Sequence, residues 1–127
     1  MIYIASPYSS PDSAVREQRY IWTLSFTHWM TAQGTHCFSP IVYYHEMAVV
    51  HDLPTDAEFW YRFNVKWQRM ADEFVVLTLP GWTISEGMRR EYLLAKTLMQ
   101  DISFWEHSGS EYKPATTFGK VPVSWQE

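Results

Sequence analysis

The chain has 127 residues, 46% of them hydrophobic and 19% charged, which is enough to bury a core and too little for a second domain. A formal charge of −4 and a pI near 5.7 exclude the basic face of a duplex nucleic-acid binder. The one cysteine, Cys37, excludes an internal disulfide framework. No apolar run approaches the ~20 residues of a membrane span, and the opening MIYIASPYSS lacks the basic start of a secretory signal, so a cytoplasmic protein with no membrane partner is expected.

Residues 1–5 (MIYIA) read as a buried strand running into the breaker cluster Ser6-Pro7-Tyr8-Ser9-Ser10. A helix is predicted from near Ser10, with Pro11 at its first position, to just before Gly34. Ala14, Ile21, Leu24, Trp29 and Ala32 recur at helical spacing on its expected buried face, and Arg16, Arg19, Thr23 and Thr27 fall opposite. Residues 35–39 (THCFS) read as a second strand closed by Pro40, and residues 40–54 carry no readable period. Thr55-Asp56-Ala57-Glu58 has the form of a capping box and predicts a helix to about Ala71, with Trp60, Phe63, Trp67 and Ala71 buried. The run 74–79 (FVVLTL) is a strand covered on both faces, broken by Pro80-Gly81-Trp82. A second box, Thr83-Ile84-Ser85-Glu86, opens a helix to about Gln100. Residues 102–105 (ISFW) give the next strand, and the last twenty residues read as an ordered tail with at most one edge strand.

Alternating strands and helices predict an α/β protein, three-layered and Rossmann- or flavodoxin-like, with a four- to five-stranded, mainly parallel sheet. The whole chain, 1–127, forms one domain, with its core in 1–105 and a tail over 106–127. Ligands in such folds sit beyond the carboxyl ends of the strands. The loops Ser6–Ser10 and Pro80–Ser85 are therefore expected to share a pocket, lined by Ser6, Tyr8, Ser9, Gly81 and Trp82.

Polar residues that interrupt apolar faces point to the chemistry. On the last main helix, Ile84, Met88, Ala95, Leu98 and Met99 form one stripe, and Glu91 falls in its middle. A carboxylate there loses hydration, so it either pairs with a core His or Tyr or serves as a functional acid. Gly87, one turn earlier, leaves room beside it for a ligand. Asn64 interrupts the stripe of the preceding helix in the same way, and a pocket edge satisfies a buried amide more easily than a packed core. Ser85, in a first helical turn, either caps the helix or meets a phosphate. Glu86 and Arg90 form a surface i,i+4 pair. Among the five histidines no pair has metal-ligand spacing with a third donor, so no metal and no cofactor is expected. His28 reads as a core histidine, Cys37 as a buried inert thiol, and His45 lies in the unassigned connection, from which it could reach the pocket. The aromatic fraction of 17% is high for a small domain, and Trp60 and Trp82 are candidates for stacking on a base or for a subunit contact.

Tyr3-Ile4-Ala5-Ser6-Pro7-Tyr8, the stretch Asp72 to Trp82 with its Leu-Pro-Gly-Trp loop, and Ser85-Glu86-Gly87 followed by Glu91-Tyr92 and Ala95 resemble the nucleoside 2-deoxyribosyltransferase-like superfamily. The likeness covers residues 1 to about 105 and extends to the related 2′-deoxynucleoside 5′-phosphate N-hydrolases. It implies cleavage of an N-glycosidic bond, with Glu91 as the nucleophile that forms a covalent glycosyl-enzyme and water or a second base as acceptor. It also implies a homo-oligomer, with Ser85 at the 5′-phosphate or 5′-hydroxyl, Asn64 at the sugar and Tyr8 beside base or ribose. Two positions depart from the pattern: Asn64 stands where the family carries an aspartate, and Ser9 and Ser10 stand where the nucleotide hydrolases carry a phosphate-binding arginine, a role open to Arg16 or Arg19. The expected function is an N-glycosidase or deoxyribosyltransferase of a nucleoside or nucleoside 5′-monophosphate. The rivals are a nucleotide sensor that does not cleave, an NAD-cleaving glycosidase and an interaction protein on an enzyme scaffold.

Overall fold

The computed structural model describes residues 1–108, 111–115 and 121–126. Five strands, β1 (Ile2–Ala5), β2 (Cys37–Phe38), β3 (Glu73–Leu77), β4 (Asp101–Ser108) and β5 (Glu111–Pro114), form one sheet in the order β2-β1-β3-β4-β5. All pairings are parallel except β4 with β5, which is antiparallel. Four helices accompany them: α1 (Ser13–Ala32), α2 (Pro40–Val50), α3 (Ala57–Arg69) and α4 (Glu86–Thr97). The result is an α/β, three-layer, Rossmann-like protein. None of the described helices is long and apolar enough to cross a membrane.

Strand alternation sorts the core. Tyr3, Ala5, Phe74 and Val76 point to the face covered by α3 and α4, where Met88, Tyr92 and Ala95 meet them. Ile4, Val75 and Leu77 point to the other face and pack on Phe26 and Met30 of α1. The in-register pair Tyr3 and Phe74 stacks with centroids 5.9 Å apart. The tail contributes to the core as well. Trp125, 1% exposed, fills the space beside Tyr92 and Trp82.

Helix α1 is rotated from the face expected of it, and of the five residues placed on that face Trp29 packs on the core. Thr23, Phe26 and Met30 are buried, whereas Ala14, Ile21, Leu24, Ala32 and His28 lie in solvent. The polar side is the one that holds the loop after β1. Thr23 Oγ1 lies 3.0 Å from Ser6 Oγ and 2.8 Å from the Arg19 carbonyl, so its hydroxyl is satisfied while buried. Arg19 donates to the carbonyls of Ser9 at 2.9 Å and Tyr8 at 3.3 Å, and Arg16 donates to that of Ser10. Pattern alone favoured Ile21 and Leu24, but loop contacts decide the rotation.

Helix starts fall one to three residues later than predicted, because better-placed acceptors stand there. Asp12 caps α1, accepting from the Ala14 amide at 2.9 Å, and Asp56 caps α3, accepting from Phe59 at 3.1 Å. Residues Trp82–Ile84 form a 3-10 turn, after which Ser85 caps α4 by accepting from Met88 at 3.2 Å. The glutamates of the expected boxes pair with arginines instead of reaching back: Glu58 with Arg90 at 2.7 Å, and Glu86 with Arg89 at 3.2 Å and Arg90 at 3.6 Å. As a result Ile84 is 86% exposed, and Met99, at φ 55 just past α4, is exposed too; neither joins the stripe. On α3, Gln68 is buried and Phe63 is exposed. The unassigned stretch is α2, capped by Ser39, which accepts from Val42 at 3.2 Å, with Pro40 in its first turn.

Gly81 turns the chain between β3 and α4 at φ 94, and the Arg19 guanidinium occupies the place where a Cβ would stand. Gly34, at φ 84, has nothing within 4 Å of that place. Gly34→Ala is expected to cost about 1–2 kcal/mol for the left-handed backbone alone, and Gly81→Ala more than that, because Arg19 must also give way. Urea midpoints of the two variants measure the difference.

Candidate active site

A cavity of about 320 Å³ opens beyond the carboxyl ends of β1 and β3. The loop after β1 contributes Ser6, Tyr8 and Ser9; α2 contributes Tyr44 and His45; α3 contributes Trp60, Tyr61 and Asn64; Ser85, Gly87 and Glu91 come from the start and buried face of α4. β1 and β3 are neighbours whose onward connections leave toward opposite faces of the sheet, α1 on one side and α4 on the other, which makes this the point where the topology switches. Gly81 and Trp82 do not line it. Gly81 faces Arg19, and Trp82 packs edge-on to Phe104 and Trp125, because the 3-10 turn folds that loop back onto the core.

Glu91 is a buried carboxyl whose protonation is strongly perturbed. It is 8% exposed on the buried face of α4, and its Oε2 accepts a short hydrogen bond from the Tyr3 hydroxyl. Burial pushes its carboxyl up to about 8, against the opposing pull of the Tyr3 hydrogen bond. The Tyr3 hydroxyl is raised well above the usual tyrosine range by burial and by the Glu91 charge. Of the two readings left open for Glu91, the core tyrosine partner is present, and the residue also lines the cavity. Removing that hydroxyl by Tyr3→Phe withdraws the one interaction that favours the charged form, so the carboxyl should titrate at still higher pH. Any activity that needs ionised Glu91 should then have its rising pH limb displaced upward, with a loss at pH 7 of about tenfold. Kinetics from pH 6 to 10 measure the displacement.

Asn64 Oδ1 is buried without a hydrogen-bond partner, an acceptor held ready at the cavity wall. One turn further on, Gln68 donates to the Glu91 carbonyl at 2.7 Å, and Gln100 donates to the carbonyls of Gln68 at 2.7 Å and Ala71 at 2.9 Å. This pair locks α3 to α4 and fixes the level of Glu91 over the sheet. Sequence reasoning missed it, although Gln68 continues the Asn64 face at i,i+4 spacing. A Cβ at Gly87 would meet that of Ala57 at 3.5 Å, an ordinary contact, so the packing of α3 does not itself require glycine there. The Trp60 ring, fixed by Nε1 donating to the Pro54 carbonyl at 2.7 Å, tilts against Tyr44 at 4.7 Å and gives the cavity an aromatic wall.

His45, 3% exposed, lies between Tyr8 Oη, 2.8 Å from Nδ1, and Glu17 Oε2, 2.6 Å from Nε2. Its place in the wall depends on α2, which carried no readable period. Arg16 and Arg19 are committed to loop carbonyls, and the described lining holds no Lys or Arg. Among the described residues no three His, Cys, Asp or Glu side chains converge as metal ligands.

Fold and site together define a Rossmann-like α/β protein with a buried carboxyl at the strand ends. The chain belongs to the family described as a domain of unknown function (DUF1937), whose model matches residues 1–107. No curated protein matches it.

Proposed function

We propose that this protein cleaves the N-glycosidic bond of a nucleoside or nucleoside 5′-monophosphate, with Glu91 as the nucleophile. The observation that carries the reading is Glu91 itself, a desolvated carboxyl opening on a cavity beside the unpartnered Asn64 Oδ1. Attack by the ionised Glu91 on the anomeric carbon displaces the base and leaves a glycosyl ester, which water or a second base then resolves. Poor solvation makes the carboxylate reactive, and the Tyr3 hydroxyl holds it in one orientation. A sugar hydroxyl donates to Asn64 Oδ1, and the base stacks on Trp60.

The cavity suits one nucleoside in volume. Its lining carries Glu86 and Glu91 and no cationic Lys or Arg, which favours the uncharged nucleoside over its monophosphate. Ser85 commits an acceptor to its cap and keeps its hydroxyl proton for the 5′ oxygen. The homo-oligomer implied by the sequence likeness has apolar surface to bury in Ile21, Trp22 and Leu24, all exposed on α1.

Base release measured by chromatography from a panel of nucleosides, 5′-monophosphates and NAD, with Glu91→Gln alongside, tests the proposal. Release that disappears in the variant establishes the glycosidase and its substrate class. A second reading, a nucleotide sensor, draws on the same carboxyl: with a value near 8, Glu91 keeps its proton at neutral pH in the empty site and can bind a ligand as a donor. Ligand binding with no base released from any member of the panel would favour that reading.

A further inference from the structure

The proposed reaction leaves one need unmet: the departing base takes an electron pair and wants a proton, and the Asn64 amide has none to give. Tyr8 and His45 line the same cavity and, with Glu17 behind them, form a chain of three groups that can supply it. Tyr8 Oη lies 2.8 Å from His45 Nδ1, and His45 Nε2 lies 2.6 Å from Glu17 Oε2. The imidazole is clamped, stacked on Tyr20 with centroids 4.1 Å apart and edge-on to Tyr8. A carboxylate only accepts, so Nε2 carries a hydrogen in either charge state of the ring. A tyrosine hydroxyl both donates and accepts, so the Tyr8–His45 hydrogen bond persists with the proton on either side. A tether between α1 and α2 needs only the Glu17–His45 contact; adding a half-buried hydroxyl that opens on the cavity makes it a path for a proton.

We infer that Tyr8 is the general acid for base departure, recharged by His45, with Glu17 as the positioning residue that fixes the imidazole. The inference rests on the proposed glycosidase reading. In the first step Glu91 Oε bonds to the anomeric carbon and the carbon–nitrogen bond breaks. Its electron pair goes to the base, the Tyr8 proton follows, and the Nδ1 proton of His45, which enters the step as imidazolium and leaves it neutral, moves to Tyr8. In the second step water attacks the anomeric carbon, the ester bond breaks to regenerate Glu91, and the water proton returns through Tyr8 to His45. Burial holds the Tyr8 hydroxyl above the usual tyrosine range, so it keeps its proton at neutral pH. Arg16, Glu17, Arg19 and Tyr20 of α1 and Glu46 of α2 are the charged and titratable groups around this relay.

The test compares the nucleoside that the wild type cleaves with a counterpart whose base leaves without a proton: the N7-methylated form of a purine or the 5-fluoro form of a pyrimidine. Tyr8→Phe is expected to lower kcat by about 10²–10⁴-fold on the parent nucleoside, with KM little changed, and by less than about tenfold on the activated one. Glu17→Gln, a change at a carboxylate half in solvent that leaves the core untouched, should show the same selectivity on a smaller scale. Equal losses on both substrates, or none on either, would overturn the relay while leaving Glu91 as nucleophile. If the wild type releases no base even from the activated substrate, the glycosidase reading itself fails, and the relay with it.

Discussion

Replacing Glu91 by glutamine is expected to abolish base release and, at alkaline pH, to stabilise the fold. The introduced amide would keep an oxygen for the Tyr3 hydroxyl but could not form the glycosyl ester, so a loss of at least about 10³-fold is expected. The stability change follows from the raised carboxyl. Below the ordinary value of 4.5, Glu91 is neutral in both folded and unfolded chains, and the variant gains nothing. Between 4.5 and about 8 the unfolded chain has released a proton that the folded chain retains, so wild-type stability falls as pH rises. Above 8 both states are charged and the deficit levels off at about 5 kcal/mol, the free-energy equivalent of the displacement. Urea unfolding at pH 4, 7 and 9 should therefore show a gap between variant and wild type that opens with pH. A gap that stays constant would mean that Glu91 titrates normally and is not desolvated.

Trp125→Ala should be the most damaging substitution away from the cavity. The ring is 1% exposed and wedged against Trp82 and Tyr92, with centroids 5.5 and 5.3 Å away. Removing a buried tryptophan costs about 3–5 kcal/mol, because little in a three-ring cluster can collapse into the space. For a domain of this size that lowers Tm by about 10–20 °C. Val123→Ala, at an exposed side chain of the same tail, serves as the control and should cost under about 1 kcal/mol. Scanning calorimetry of both variants separates a core role for the tail from a decorative one. The residue lies beyond the family match, which stops at 107, so this part of the core is added by the stretch that follows the shared domain.

Much of the fold was legible because its signals are local. FVVLTL is a strand under any partner, and Glu91 stands out because an α-helix repeats every 3.6 residues whatever surrounds it. α2 was illegible for the opposite reason. Pro40 to Val50 is apolar on most sides and rich in β-branched and aromatic residues, so neither a helical nor a strand period emerges. That single omission hid His45 and the Tyr44 wall. The rotation of α1 was misread because a threonine looks like a surface residue until Ser6 and a helix carbonyl satisfy its hydroxyl. Trp82 went to the core instead of the cavity because Trp125, 43 positions along, was waiting for it, a long-range contact that spacing does not encode.

The Arg19 guanidinium, braced against Gly81 while holding the carbonyls of Tyr8 and Ser9, has a thermodynamic meaning beyond its contacts. It acts as a strut: one rigid planar group spans the two loops that leave β1 and β3, so their separation is set during folding and not during ligand capture. The entropy of ordering those loops is then already lost before anything enters, and the binding energy of a small ligand is not spent on it.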